Sequence, residues 1–94
     1  MSMSALSLED AHARLRALQD WEIVSGELVK TFQFADFPAA LGFVNRVGEV
    51  AEAAGHHPDI DIRYNKVRLA LATHDAGGLT PKDFALASQA DKLA

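Results

Sequence analysis

The sequence predicts an α+β fold in which a four-stranded antiparallel sheet carries three helices on one face. Two segments alternate polar and apolar residues on either side of a short break, as β-hairpins do. Three others repeat apolar residues at helical spacing, and the elements follow one another as helix, hairpin, helix, hairpin, helix. Amphipathic strands and helices each bury one side, so the helices gather on one sheet face and leave the other open to ligand or self-association.

The first helix begins at Ser7-Leu8-Glu9-Asp10, where Ser7 can accept from the first turn and the acidic residues meet the positive end of the dipole. Leu8, Ala11, Leu15 and Leu18 form its apolar stripe, with Arg14 and Arg16 on the exposed back. His12 lies beside the stripe and reads as a surface histidine. Trp21 and Ile23 precede Ser25-Gly26, and Leu28 to Phe34 follow, giving a first hairpin around an acceptable turn pair. Trp21 reads as a core or sheet-edge anchor.

Asp36-Phe37-Pro38 opens the longest helix, since Asp is a strong N-cap and proline is tolerated in the first turn. Phe37, Ala40, Leu41, Phe43, Val44, Val47, Val50, Ala51 and Ala54 then fill about half of the helical circumference, the width of face that lies across a small sheet. Gly55 supplies the positive φ at which helices commonly end. Two histidines, His56 and His57, emerge just past that end, where the dipole favours the imidazolium form.

Asp59 to Tyr64 and Val67 to Thr73 alternate around Asn65-Lys66, which we read as the loop of a second hairpin. In that register Ile62 faces Leu69 and Ile60 faces Leu71, and extrapolation past Pro58 brings His57 level with His74. Ala70 and Ala72 on the same face leave room beside them. After Asp75-Ala76-Gly77-Gly78, read as a flexible turn, Thr80 caps the last helix, Pro81 takes its first position and Asp83 completes a capping box. Leu79 and Phe84 are placed to staple it. Leu86, Ala90 and Leu93 form its apolar stripe.

At 94 residues the chain reads as one domain spanning 1–94, with residues 1–6 expected to be flexible. A hydrophobic content of 49% argues against disorder. The net charge of −4 gives no footprint for nucleic acid or an anionic membrane, and no apolar run approaches a membrane span. With no cysteine there is neither a disulfide framework nor a thiol nucleophile, which fits a cytoplasmic protein. Three of the four histidines cluster in one stretch, which points to proton transfer or metal binding. Glu52, four residues before His56, meets that ring if the last helical turn persists.

Glu52, His56-His57-Pro58, Tyr64, His74 and the more distant Asp83 follow a spacing that resembles the pterin-4a-carbinolamine dehydratase family, as do Asn65-Lys66-Val67 and Leu71 to His74. The resemblance covers the chain from about Trp21 onward. It implies a hydro-lyase that removes water from a 4a-hydroxytetrahydropterin to give quinonoid dihydropterin, recycling the cofactor of aromatic amino acid hydroxylases. It implies a homodimer or homotetramer, a pterin as substrate, an aromatic amino acid hydroxylase as a possible partner, and no metal or organic cofactor. His56, His57 and His74 are then the catalytic residues. Glu52, Asp59, Asp61, Thr73, Lys82 and Asp83 are expected to bind substrate or support the histidines. Some members carry a basic residue just before the aspartate; here it is Lys82, which cannot make the bidentate contact of an arginine.

Two other functions compete with this one. Three histidines could hold zinc with an open position, although adjacent side chains on an extended backbone point apart and do not readily converge on one ion. Alternatively the chain acts as a dimerising partner or coactivator of another protein, a second role of some family members.

Overall fold

Residues 4–94 are described by a computed structural model, in which the predicted order of elements is observed. Helix α1 spans Leu8–Leu15, strands β1 and β2 span Glu22–Val24 and Glu27–Gln33, and helix α2 spans Phe37–Ala54. Strands β3 and β4 span Asp59–Arg63 and Lys66–Leu71; a short 3₁₀ turn over His74–Ala76 leads to helix α3, Pro81–Leu93. The four strands form one antiparallel sheet in the order β1-β2-β4-β3. The expectation of flexibility over residues 1–6 falls partly outside the described residues. Within them, the Leu6 N–H donates to Leu79 O at 2.7 Å and its side chain packs against the core.

Local chemistry explains the helix ends. The Ser7 hydroxyl accepts from Asp10 N at 3.1 Å and the Asp36 carboxylate accepts from Ala39 N at 2.9 Å, each satisfying a donor that the first turn leaves unpaired. In α3 the capping box is complete: the Thr80 side chain accepts from the Asp83 backbone, and the Asp83 side chain accepts from Thr80 N. Ser25 and Gly26 both take positive φ, +51° and +81°, which matches the tight β1-β2 hairpin to the twist of its strands.

The second hairpin differs from expectation in register. Its loop is Tyr64-Asn65, closed by Arg63 opposite Lys66, so Ile62 faces Val67 and Ile60 faces Leu69. The cause lies in β2. Phe34 N donates to Asn65 O and Asn65 Nδ2 donates to Phe34 O, both at 2.8 Å, which ties Asn65 to the end of the neighbouring strand. Tyr64 then takes the positive φ, +53°, that the loop requires. A slip of two residues keeps every side chain on its predicted face, because the strand period is two.

The core lies between the sheet and α2 and α3. Leu28, Phe32, Val67, Leu69 and Leu71 from the sheet meet Ala40, Phe43, Val47 and Ala51 of α2 and Leu86, Ala87 and Ala90 of α3, all buried. Phe43 stacks obliquely with Phe32 and Phe34, at 4.7 and 4.9 Å between ring centres. Trp21 is buried just before β1 and its indole N–H donates to Asp91 Oδ2 at 3.0 Å, while Lys30 Nζ lies 2.8 Å from Asp91 Oδ1. That junction pins the end of α3 to β2. Two apolar expectations change: Leu8 is 69% exposed, and Phe37 and Leu41 at the margin of the α2 arc are also exposed. The helix is wider in its apolar face than the small sheet can cover.

Candidate active site

The end of α2 fixes the first histidine. Gly55 adopts the left-handed conformation, φ +62° and ψ +30°; its N–H donates to Glu52 O and the N–H of His56 donates to Ala51 O, each at 3.1 Å. This paired closure of a helix places His56 at a defined point one residue beyond the turn. Pro58 has no N–H for a ladder, and β3 starts only at Asp59, so His56 and His57 occupy a short bridge between helix and strand.

A second loop faces that bridge. Thr73 and Gly78 exchange backbone hydrogen bonds of 3.0 and 3.4 Å, closing a loop in which His74–Ala76 form the 3₁₀ turn and Gly77 is left-handed at φ +71°. The segment expected to be a flexible turn is therefore a built loop that presents His74. Gly55, His56, His57, Ala72, Thr73, His74, Asp75 and Lys82 together line an open pocket of about 240 Å³.

Each of the first two histidines has a carboxylate partner. His56 Nε2 lies 2.5 Å from Asp83 Oδ1, with the histidine side chain 11% exposed and the aspartate wholly buried. Asp83 Oδ2 accepts from the Thr73 hydroxyl and from Thr80 N, both at 2.9 Å, and the Thr73 and Thr80 hydroxyls lie 2.7 Å apart. His57 Nε2 lies 2.8 Å from Glu52 Oε1 on the exposed rim. Glu52 thus reaches His57, not His56: the α2 terminus turns the His56 ring inward to Asp83 and leaves the next ring beside the glutamate. His74 is exposed on its turn and lines the same pocket.

The structure does not bring Asp59 and Asp61 to this pocket. They stand on the outer sheet face of β3, where Asp61 Oδ1 accepts from Arg63 Nε at 3.3 Å. The observed register would place His57 level with Ala72, yet the pairing stops at Asp59 and the loops bring the histidines to one rim. His12 lies apart on α1, with Nδ1 2.8 Å from Leu8 O. Among the described residues no group of three or more His, Cys, Asp and Glu side chains is arranged to hold a metal ion.

Comparisons with known proteins address the same geometry from outside. Residues 4–93 match the family model described as pterin 4 alpha carbinolamine dehydratase. The chain belongs to that family. A relative from Chloroflexus aurantiacus, provisionally named a pterin-4-alpha-carbinolamine dehydratase, is 58% identical over 91 residues, covering 97% of this chain and 98% of the relative. A similarly named protein from Acidobacterium capsulatum is 54% identical, covering 97% and 99%. Among solved structures, a transcriptional coactivator/pterin dehydratase from Brucella melitensis superposes with a TM-score of 0.93 at 33% identity, covering 97% of this chain and 99% of that one. A pterin dehydratase-like protein identified as a RuBisCO assembly factor in the alpha-carboxysome superposes with a TM-score of 0.66 at 27% identity, covering 79% and 86%.

In this member of the pterin dehydratase family the histidine pair and the histidine of the second loop share one pocket. Sequence reasoning missed the bond between His56 and Asp83, because the capping box already accounted for the aspartate. One signal could have found it: a capping-box carboxylate has two oxygens, and only one is needed by the Thr80 N–H.

Proposed function

We propose that the chain is a 4a-hydroxytetrahydropterin dehydratase, a hydro-lyase that releases water and quinonoid dihydropterin and so recycles the cofactor of aromatic amino acid hydroxylases. The observation that carries this reading is the meeting of His56, His57 and His74 around one open pocket in a family member. No cofactor enters the reaction, because the pterin is the substrate.

The chemistry needs one proton given and one taken. In the carbinolamine the bond from C4a to the hydroxyl breaks, and hydroxide is a poor leaving group. An imidazolium donates a proton to that oxygen while a ring nitrogen lone pair forms the new C=N bond, and a neutral imidazole takes the proton that the ring nitrogen sheds. Water leaves, and the two imidazoles have exchanged protonation states. Such acid–base assistance is typically worth about 10²- to 10⁴-fold. We assign it to His56 and His74 and assign positioning of the pterin to His57, oriented by Glu52. Lys82 and Asp75 on the rim add polar contacts for the heterocycle. Asp59 and Asp61 have no place in this scheme.

The decisive experiment is stopped-flow dehydration of 4a-hydroxytetrahydropterin generated in situ by a hydroxylase. Wild type should accelerate the spontaneous reaction, and His57→Ala and His74→Ala should each lose most of that acceleration. A wild-type trace equal to the enzyme-free control would overturn the reading and leave the binding role, in which case a triple histidine variant should still hold its partner.

We also read the enzyme as a cytoplasmic homodimer or homotetramer. The exposure of Phe37 and Leu41 on α2 and of Ile60 on β3 supports self-association, since these apolar side chains otherwise face water. Sedimentation at micromolar concentration tests it, and a monomer would contradict it. No helix among the described residues is long and apolar enough to cross a membrane.

A further inference from the structure

The buried hydroxyls beside Asp83 have a direction that follows from donor and acceptor rules. The Thr73 hydroxyl has one proton and gives it to Asp83, so in the 2.7 Å contact between the two hydroxyls Thr80 Oγ1 is the donor. Thr73 Oγ1 thereby accepts one bond and spends its single proton on Asp83 Oδ2 at 2.9 Å, where Thr80 N also donates at 2.9 Å. Oδ2 is thus committed as an acceptor of two bonds. The remaining oxygen, Oδ1, meets His56 Nε2 at 2.5 Å.

We infer that Thr73 is a positioning residue which, through Asp83, holds His56 in the tautomer protonated at Nε2 and makes Nδ1 the atom that exchanges a proton in the pocket. Two donors converging on Oδ2 are best matched by a carboxylate, whose Oδ1 is then also an acceptor, and this places the hydrogen shared with His56 on the ring nitrogen. The partner of one ring nitrogen dictates the state of the other. Without the Thr73 donor, Oδ2 keeps one bond and the carboxyl group can turn or hold a proton on Oδ1. It would then donate to Nε2, and the ring's own hydrogen would move to Nδ1, where a neutral imidazole cannot act as the base. Thr73 and Thr80 touch no reacting atom in this account. They set which nitrogen of His56 works, as the groups behind a functional imidazole commonly do.

The tautomer part stands on the hydrogen-bond geometry alone, and the working role of Nδ1 rests on the dehydratase reading. The test is the pattern of long-range ¹H–¹⁵N couplings in the His56 ring at alkaline pH, where the imidazoles are neutral, recorded for wild type, Thr73→Val and Thr73→Ser alongside dehydration rates. Wild type should show Nε2–H only. Thr73→Val should populate the Nδ1–H form and lose roughly 10- to 100-fold in rate, while Thr73→Ser, which keeps the hydroxyl, should restore both. An Nδ1–H pattern in wild type overturns the inference even if Thr73→Val does not fold. A Thr73→Val protein that loses rate with an unchanged His56 pattern also overturns it, since the threonine would then act by touching the pterin. Failure of wild type to dehydrate the pterin would sink the dehydratase reading while leaving the tautomer result intact.

Discussion

His56 and His57 are neighbours in sequence with opposite surroundings. His56 is tucked against a wholly buried carboxylate, whereas His57 is 64% exposed and pairs with a glutamate on the rim. The partners should therefore differ in weight. Asp83→Asn replaces an acceptor with a group that also donates, in a place where Thr73, Thr80 and His56 all require acceptance. It should destabilise the protein by roughly 1–3 kcal/mol in a denaturant titration and reduce dehydration more than Glu52→Gln does. Glu52→Gln should leave the denaturation midpoint at its wild-type value, because solvent screens an exposed pair. A Glu52 variant less stable than the Asp83 variant would reverse this ordering. The histidines, Glu52 and Asp83 were all legible as candidates in the sequence, but their pairing was not. Spacing favoured Glu52 with His56 at four residues apart, and only the closure at Gly55 shows that the next ring is the one within reach.

At the level of elements, the site depends on how α2 ends. Gly55 has open space around its Cβ position, so substitution there costs conformation and not packing. Gly55→Ala should cost about 1–2 kcal/mol for a left-handed non-glycine residue, and relaxation of the turn should shift His56 and slow dehydration. A Gly55→Ala protein with wild-type stability and rate would show that the turn does not position the ring. Caps, turns and helix ends were legible because Ser7, Asp36, Gly55, Thr80 and Asp83 each satisfy a local rule. The β3-β4 register was not, because it depends on Asn65 bonding to Phe34, a residue 31 positions away just past the end of β2. Local alternation permits both registers, since a two-residue slip preserves every face. The loop between Thr73 and Gly78 was misread for a similar reason: paired glycines suggest mobility, and the closing bridge is visible only in three dimensions.

For the molecule as a whole, the sheet is a platform whose core lies on one side and whose histidine loops meet at one end. Phe43, with no exposed surface, contacts aromatic rings from β2 and the segment after it and occupies the middle of the core. Phe43→Ala should cost about 3–5 kcal/mol, enough to threaten a small domain, and it should do so without selectively altering the site. The Trp21-Asp91-Lys30 junction lies apart from the histidine pocket. Asp91→Ala should accordingly lower thermal stability while the folded fraction retains its dehydration rate; loss of rate in a fully folded protein would contradict that separation. The overall architecture was readable because pattern, order and caps agreed, whereas the extent of the exposed α2 margin required the actual width of the sheet.

The placement of the pterin among three imidazoles is tested most directly by titrating the protein with a stable dihydropterin and following the ring resonances of its four histidines. Binding at the pocket predicts saturable shifts at His56, His57 and His74 with His12 unmoved. Shifts centred on His12, or saturable binding that leaves the three pocket histidines unchanged, would contradict the account.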